Sequence, residues 1–451
     1  MLEEKKMPHT PIEKFGIVYR DKSYKNDKSV ASPKWINSAI IYEVYLRSYS
    51  KDGDIVSFIK KLPELKELGI NTICLMPVYL IGHLKRKGPL GSPFAIRDYY
   101  RINPEFGKKE DVKNLVKECH NLGIRVILDF VANHAANDHI EKKNHPEWFK
   151  TDDKGNYIRS VPGWSDVIDL NYENKDLRQY IKDVAIHWVK EYDIDGYRCD
   201  VAGLVPMDFW VDFRKSLQKT KKDILLLAEW EDPEMNLKAF DITYDWVLYF
   251  QLDEIFNGTS AAQDALDTLF EREANFPKDA VRLRFLENHD QARATYKFGN
   301  PAFKAVAAFI FTISGVPFIY NGQEVGDPKH LTLFDKNAIN WKIKGANEIR
   351  KYYKTLIDLR TQNALFRDGK TTKLENSKPR QIVSFSRTLK NQKAMVFLNF
   401  SDKDCPFTLK TEMKHNKWKV LNIATMEETE VELDKWKFKL KAHDGNIYIA
   451  V

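Results

Sequence analysis

The chain predicts an α/β fold: a closed (β/α)8 TIM barrel with a short inserted loop domain after strand three and a C-terminal antiparallel β-sandwich domain. Three observations point there. Short apolar runs alternate with helix-like patterns from about residue 36 to 362. The runs number eight, the count that closes such a barrel of parallel strands. Beyond residue 363 the rhythm changes to short alternating runs, which suit an antiparallel sheet.

Taken in order, residues 1–35 are polar and broken by Pro8, Pro11 and Pro33, so they read as an arm draped over the body. Strand one falls at 39–45. The helix after it shows Ile55, Phe58, Ile59, Leu62, Leu65 and Leu68 at spacings of three and four, and Gly69 ends it. Strand two is 71–76, and further strands fall at 125–130, 196–201, 224–229, 246–250, 281–287 and 316–320. Helical patterns lie at 109–122, 176–192, 209–217, 262–272, 303–313 and about 347–360. An open doubly wound sheet is the competing arrangement, but it would gather ligands at one switch point rather than at many strand ends.

Two segments break the rhythm: 77–108 after strand two, and the inserted domain at about 135–172 after strand three. Loops of this length in a compact domain are usually functional, and these fall on the C-terminal face of the barrel. The catalytic barrel thus spans 36–362 and the C-terminal β domain 363–451, with runs at 381–386, 394–400 and 446–451. That last domain carries no assignable acid cluster, and packing against the barrel is its expected role.

Bulk properties narrow the class. The chain has 451 residues, 43% hydrophobic and 30% charged, which fits a soluble globular protein of about two or three domains. The net charge of +7 comes from 71 basic against 64 acidic residues, scattered rather than striped. Even Lys85-Arg86-Lys87 stops at Gly88, so no nucleic-acid partner is expected. Cys74, Cys119, Cys199 and Cys405 form no CxxC pair and read as buried free thiols. No apolar stretch reaches the roughly 18–20 residues that span a membrane. The N-terminal Met1-Leu2-Glu3-Glu4-Lys5-Lys6 lacks an apolar core, so no signal peptide is expected as written. Compartment and oligomeric state stay open: cytoplasmic for an intact N-terminus, periplasmic or secreted for a trimmed one.

Chemistry concentrates at three strand ends. Asp200 closes Asp195-Gly196-Tyr197-Arg198-Cys199-Asp200, Glu229 closes Leu225-Leu226-Leu227-Ala228-Glu229, and Asp290 closes Glu287-Asn288-His289-Asp290. A lone acid at a strand end is usually a loop cap or surface charge, and a lone His such as His289 is more often structural. Three acids so placed can meet at one mouth of a barrel, as glycosidic bond cleavage requires. Arg198 lies two residues before Asp200 on the same strand and so points to the same face. Its charge would keep Asp200 ionised and oriented.

With Asp129-Phe130-Val131-Ala132-Asn133-His134, these segments make four blocks in order, and together they resemble the α-amylase family, glycoside hydrolase family 13. Weaker blocks at 71–78 and 315–324 also match, and the resemblance covers about 36–451 in architecture. It implies that Asp200 is the nucleophile, Glu229 the general acid and base, and Asp290 the third carboxylate, which binds sugar and stabilises the transition state. It implies that His134 and His289 hydrogen-bond sugar hydroxyls. Phe94 stands where the family usually places a Tyr that stacks on the sugar, and keeps the ring face. Asp98 matches the acid of the same motif and either shapes the pocket or caps its loop.

The implied activity is retaining hydrolysis of α-1,4-glucan polysaccharide or oligosaccharide, through a glucosyl-enzyme ester on Asp200 and without an organic cofactor. Asn133 and Asp169 match positions that bind a structural Ca²⁺ in many relatives, with a hydrogen bond between the two as the alternative. Asp52-Gly53-Asp54 is a weaker calcium candidate that also reads as a solvated turn. One departure is clear: Val201-Ala202-Gly203-Leu204 lacks the Lys-His pair typical of many calcium-bound α-amylases. An exo-acting α-glucosidase or a glucanotransferase would share every residue named. A non-catalytic binding subunit is a further alternative, but such relatives normally lose a carboxylate or carry a membrane helix.

Overall fold

The structure, a computed structural model, describes residues 23–410, 417–433 and 436–451. Residues 1–22 of the expected arm lie outside that range. Residues 27–31 run along the body, where the Val30 amide donates to the Asn236 carbonyl at 2.9 Å and Arg214 donates to the Ala31 carbonyl at 2.8 Å.

Eight strands form the barrel: β1 (Ile41–Val44), β2 (Thr72–Leu75), β3 (Arg125–Phe130), β4 (Gly196–Cys199), β5 (Leu225–Ala228), β6 (Ile242–Tyr244), β7 (Val281–Arg284) and β8 (Val316–Tyr320). They close in the order β1-β8-β7-β6-β5-β4-β3-β2. β1, β2, β4, β5 and β8 are buried along their whole length, which explains their unbroken apolar runs: a parallel strand is covered on both faces. Gly196 opens β4 because a Cβ there would run into the Leu225 carbonyl of β5.

The covering helices follow sequence logic. Lys175–Tyr192 is capped by Asn174, whose side chain accepts from the Asp176 and Leu177 amides at 2.9 and 3.0 Å. It buries Leu177, Ile181, Val184, Trp188 and Tyr192 on one face and ends at Asp193, in the left-handed region at φ 58°. Lys109–Asn121 buries Val112, Leu115, Val116 and Cys119 at the same periodicity. The expected helix over 55–68 is broken into Ile55–Ile59 and Leu62–Leu68, the second with Pro63 in its first turn and Gly69 at its end.

One expected element is corrected. The run 246–250, read as strand six, begins the helix Trp246–Phe256, and β6 is the shorter Ile242–Tyr244 upstream. An apolar aromatic run fits either state by periodicity alone. Asp245 decides it, since its side chain caps the helix by accepting from the Leu248 amide at 3.4 Å.

Packing divides the chain into two compact units. The first takes the described residues up to Tyr244 with Phe276–Val281 and His330–Asn340; the second takes Asp245–Asn275, Arg282–Lys329 and Trp341 onward. In the second unit, Lys370–Lys373, Ile382–Leu389, Gln392–Asn399, Gly445–Ala450, Lys417–Asn422 and Glu428–Glu432 form an antiparallel sheet in that order. Cys405–Thr408 pairs with Lys437–Leu440 in a two-stranded sheet. Phe397, Trp418 and Tyr448 of the first sheet share one core with Phe407, Phe438 and Leu440 of the second. All four cysteines are free and buried. Among the described residues no helix is long and apolar enough to cross a membrane.

Candidate active site

Asp200 and Glu229 each sit one residue past a barrel strand, and the ladder carries on through them. The Asp200 amide donates to the Phe130 carbonyl and the Glu229 amide to the Cys199 carbonyl, both at 3.0 Å. Both residues are buried, with 7% of each exposed.

Arg198 organises the acid cluster of the first unit. Parallel register pairs Asp129 on β3 with Arg198 on β4. Nη1 of this fully buried arginine donates to both Asp129 oxygens, at 2.7 and 2.6 Å, and Nε donates to the Tyr244 hydroxyl at 3.1 Å. Nη2 lies 2.7 Å from Glu229 Oε1 as an ion pair outside hydrogen-bond geometry, and Nη1 lies 3.5 Å from Asp200 Oδ1. Burial by itself would lower the Arg198 pKa, but Asp129 and then Glu229 outweigh it and hold the guanidinium charged well above its usual range. Its tightest partner is therefore Asp129, which the sequence placed only as the opening of a motif, with Glu229 ahead of Asp200.

The loops behind the two acids interlock. Val201 adopts φ 37°, a left-handed conformation that a β-branched residue rarely takes, and its amide donates to Glu229 Oε2 at 2.9 Å. Two residues on, a Cβ at Gly203 would fall onto the Trp230 ring, so only glycine lets the turn after Asp200 lie against the residue after Glu229. This packing occupies the stretch Val201-Ala202-Gly203-Leu204, where the Lys-His pair is missing.

Phe94 and His134 join the same cluster. The Phe94 ring centroid is 6.0 Å from the Arg198 guanidinium carbon, and the Phe94 backbone hydrogen-bonds the His134 imidazole. Burial lowers the His134 pKa to about 3, so the ring is neutral. The Trp164 ring, from the inserted segment, lies 5.0 Å from it. Trp164 went unassigned in the sequence; the abundance of Trp and His in that loop was the available signal. Asp98 accepts from the Tyr100 amide at 2.9 Å, a contact that shapes its own hairpin strand, Ile96–Ile102.

In the second unit, β7 ends at Arg284, so Glu287, His289 and Asp290 lie on the following loop rather than on a strand over 281–287. His289 Nε2 is 3.4 Å from Asp290 Oδ2, and the Asp290 side chain is 50% exposed. Its amide donates to Asn288 Oδ1 at 3.0 Å. Buried Glu287 accepts from Arg293 Nη1 at 2.7 Å, and the same Nη1 donates to the Asn321 carbonyl beyond β8 at 2.9 Å. Burial raises the Glu287 pKa, with Arg293 opposing it. This pair pins the loop that presents Asp290, a role that Glu287 did not reveal as one letter of a motif.

The residues matched to a calcium site make contacts of their own within the chain. The Asn133 amide nitrogen faces His134 Nδ1 at 3.3 Å, and Asp169 Oδ2 accepts from Ser160 at 2.6 Å. Asp169 Oδ1 is buried without a hydrogen-bond partner, a donor that would suit a cation. Ca²⁺ takes about six to eight oxygens, however, and among the described residues no three His, Cys, Asp or Glu side chains gather as a metal set. Asp54 instead caps the helix Ile55–Ile59 by accepting from the Ser57 amide.

Comparisons with known proteins agree with the fold. The family model "Alpha amylase, catalytic domain" matches residues 21–164 and 147–342. A cyclomaltodextrinase of Geobacillus thermopakistaniensis is 30% identical over 85% of this chain and 68% of its own length. Alpha-amylase 3 of Dictyoglomus thermophilum is 27% identical over 88% of this chain and 92% of its own. Among solved structures, a maltogenic α-amylase of Thermotoga neapolitana superposes with TM-score 0.85 at 35% identity, covering 92% of this chain and 99% of that one.

Proposed function

The chain belongs to the α-amylase family, glycoside hydrolase family 13, and from that premise we propose that it is a retaining hydrolase of α-1,4-glucans, polymeric or oligomeric. One observation carries the reading furthest: a single buried guanidinium touches both Asp200 and Glu229. Two carboxylates on one guanidinium are neighbours, as a double displacement needs, with oxygens about 5–5.5 Å apart across the scissile bond.

In this mechanism Glu229 protonates the leaving oxygen while Asp200 attacks the anomeric carbon, giving a glucosyl ester and a free chain end. Glu229 then takes a proton from water, which attacks the same carbon and releases Asp200. Arg198 offsets one negative charge of the buried cluster, which includes Glu229 once that residue has given up its proton. Asp290, by its place in the motif His289-Asp290, is taken as the third carboxylate, which binds sugar hydroxyls. Neutral His134 can donate to or accept from a hydroxyl, and the Phe94 ring offers a stacking face.

The relatives named as cyclomaltodextrinase and maltogenic α-amylase favour maltooligosaccharides over long polymers as the substrate. Asp200→Asn on maltoheptaose should lose at least about 10³ in kcat, and proton NMR of the first wild-type product should show the α-anomer. A β-anomer, or an unimpaired Asp200→Asn enzyme, would overturn the proposal.

A further inference from the structure

Tyr244, the last residue of β6, belongs to the acid cluster although no sequence block marks it. Parallel register sets Arg198 of β4 beside Leu227 of β5, and Leu227 beside Ile242 of β6. Residues paired in this way share one face of the sheet, and Tyr244, two positions after Ile242, returns to that face. Its side chain therefore meets Arg198. The hydroxyl accepts from Nε at 3.1 Å, and the ring centroid lies 5.7 Å from the guanidinium carbon.

A guanidinium is a flat, rigid fork, so anchoring two of its corners fixes how it lies. Asp129 holds Nη1 and Tyr244 holds Nε. The third corner, Nη2, faces Glu229 Oε1 at 2.7 Å, buried and without a hydrogen bond. A buried donor left unspent is rare and calls for an explanation. The phenol itself stays neutral: burial raises its pKa well above the usual range, with Arg198 opposing and Glu43 and Glu229 adding to the rise. A dipole rather than an anion thus holds this corner, and the charge of Arg198 is left for Asp129, Glu229 and Asp200.

We propose that Tyr244 is a positioning residue: by holding Nε of Arg198 it keeps Nη2 aimed at Glu229 without bonding it, so that Glu229 can carry the proton it gives to the leaving oxygen. Released from Tyr244, the fork can turn about its Asp129 corner, and Nη2 then bonds the ionised form of Glu229. The inference rests on the function proposed above and adds a residue to that mechanism.

Tyr244→Phe tests it, because the ring stays and the hydroxyl alone is lost. On maltoheptaose kcat should fall about ten-fold, the scale of one hydrogen bond to a charged group. KM should stay within about two-fold, since Tyr244 is fully buried and out of reach of substrate. The basic limb of kcat/KM against pH, which marks loss of the acid's proton, should move to lower pH. Arg198, with Asp129 and Asp200 on the same guanidinium, bears on Glu229, as does the phenol, which also feels Glu43; the substitution changes none of those charges. Unaltered kcat, or a loss with the pH profile unmoved, overturns the proposal. So does a crystal structure of the wild type with the hydroxyl beyond about 3.5 Å from Nε, a result that stands even if Tyr244→Phe fails to fold. A wild-type protein that cleaves no α-glucan instead overturns the function itself, and the role of Tyr244 with it.

Discussion

Replacing Asp129 by Asn keeps the side chain's shape and removes one charge from the centre of the barrel. Asp129 and Arg198 are both 0% exposed, so solvent does not screen the loss. Breaking a buried ion pair costs about 3–5 kcal/mol. Arg198 would still have Glu229 at 2.7 Å and Asp200 at 3.5 Å, which puts the cost near the lower end, about 3 kcal/mol. The new amide nitrogen would also face the Nη1 donor. Catalysis should suffer independently of stability: a guanidinium released from Asp129 can swing toward Asp200 and Glu229, and a shift of that order costs about 10²-fold in rate. Urea unfolding reads the first effect, and kcat/KM on maltoheptaose well below the unfolding midpoint reads the second. A stability change under about 1 kcal/mol with unaltered kcat/KM would refute the claim that Asp129 anchors Arg198.

Further outcomes follow from other parts of the site. Burial lowers the pKa of His134 to about 3 and of His139 to about 4, so the unfolded chain binds more protons than the folded one from pH 6.5 downward. Their contribution should be constant above pH 6.5 and fall by about 1.4 kcal/mol per group for each pH unit below it. His120, raised by its hydrogen bond to Asp195, acts in the opposite sense, losing its contribution as pH rises through its folded pKa. Urea midpoints should fall between pH 6 and 5, and His134→Gln should flatten that fall; an unchanged slope counts against the assignment. Gly203→Ala drives a Cβ into the Trp230 ring, so we expect a loss of about 1–3 kcal/mol from overpacking and a fall in kcat, measured by thermal melting and initial rates. A variant matching wild type in both would contradict the interlock. Asp169 Oδ1 is buried without a hydrogen-bond partner, so if a cation sits there, chelation by EDTA should lower the melting temperature by several degrees and Ca²⁺ should restore it; unchanged melting would count against Asn133 and Asp169 as ligands.

Much of the site was legible because its chemistry is written in short contiguous blocks. Asp200, Glu229 and the pair His289-Asp290 end or follow apolar runs, and a buried parallel strand needs such a run whatever its neighbours are. The sixth strand was not legible. Ile242-Thr243-Tyr244 is too short to show a period, and the aromatic run after it carries the stronger apolar signal. Its helical state goes with a cap from Asp245 and with the face that buries Trp246, Tyr249 and Leu252, neither of which the run's period shows.

The linear order of residues was sufficient for seven of the eight barrel strands, for Asp200 and Glu229 just past two of them and for the face that Arg198 shares with Asp200, since alternation along one strand is local geometry. Partners across strands were decided only by folding. Parallel register sets Asp129 beside Arg198, and a left-handed Val201 turns its amide onto Glu229. Glycine at 203 makes room for Trp230, and Arg293 fastens Glu287. Such pairings join residues dozens of positions apart or depend on how a loop turns, and they exist only once the sheet has closed.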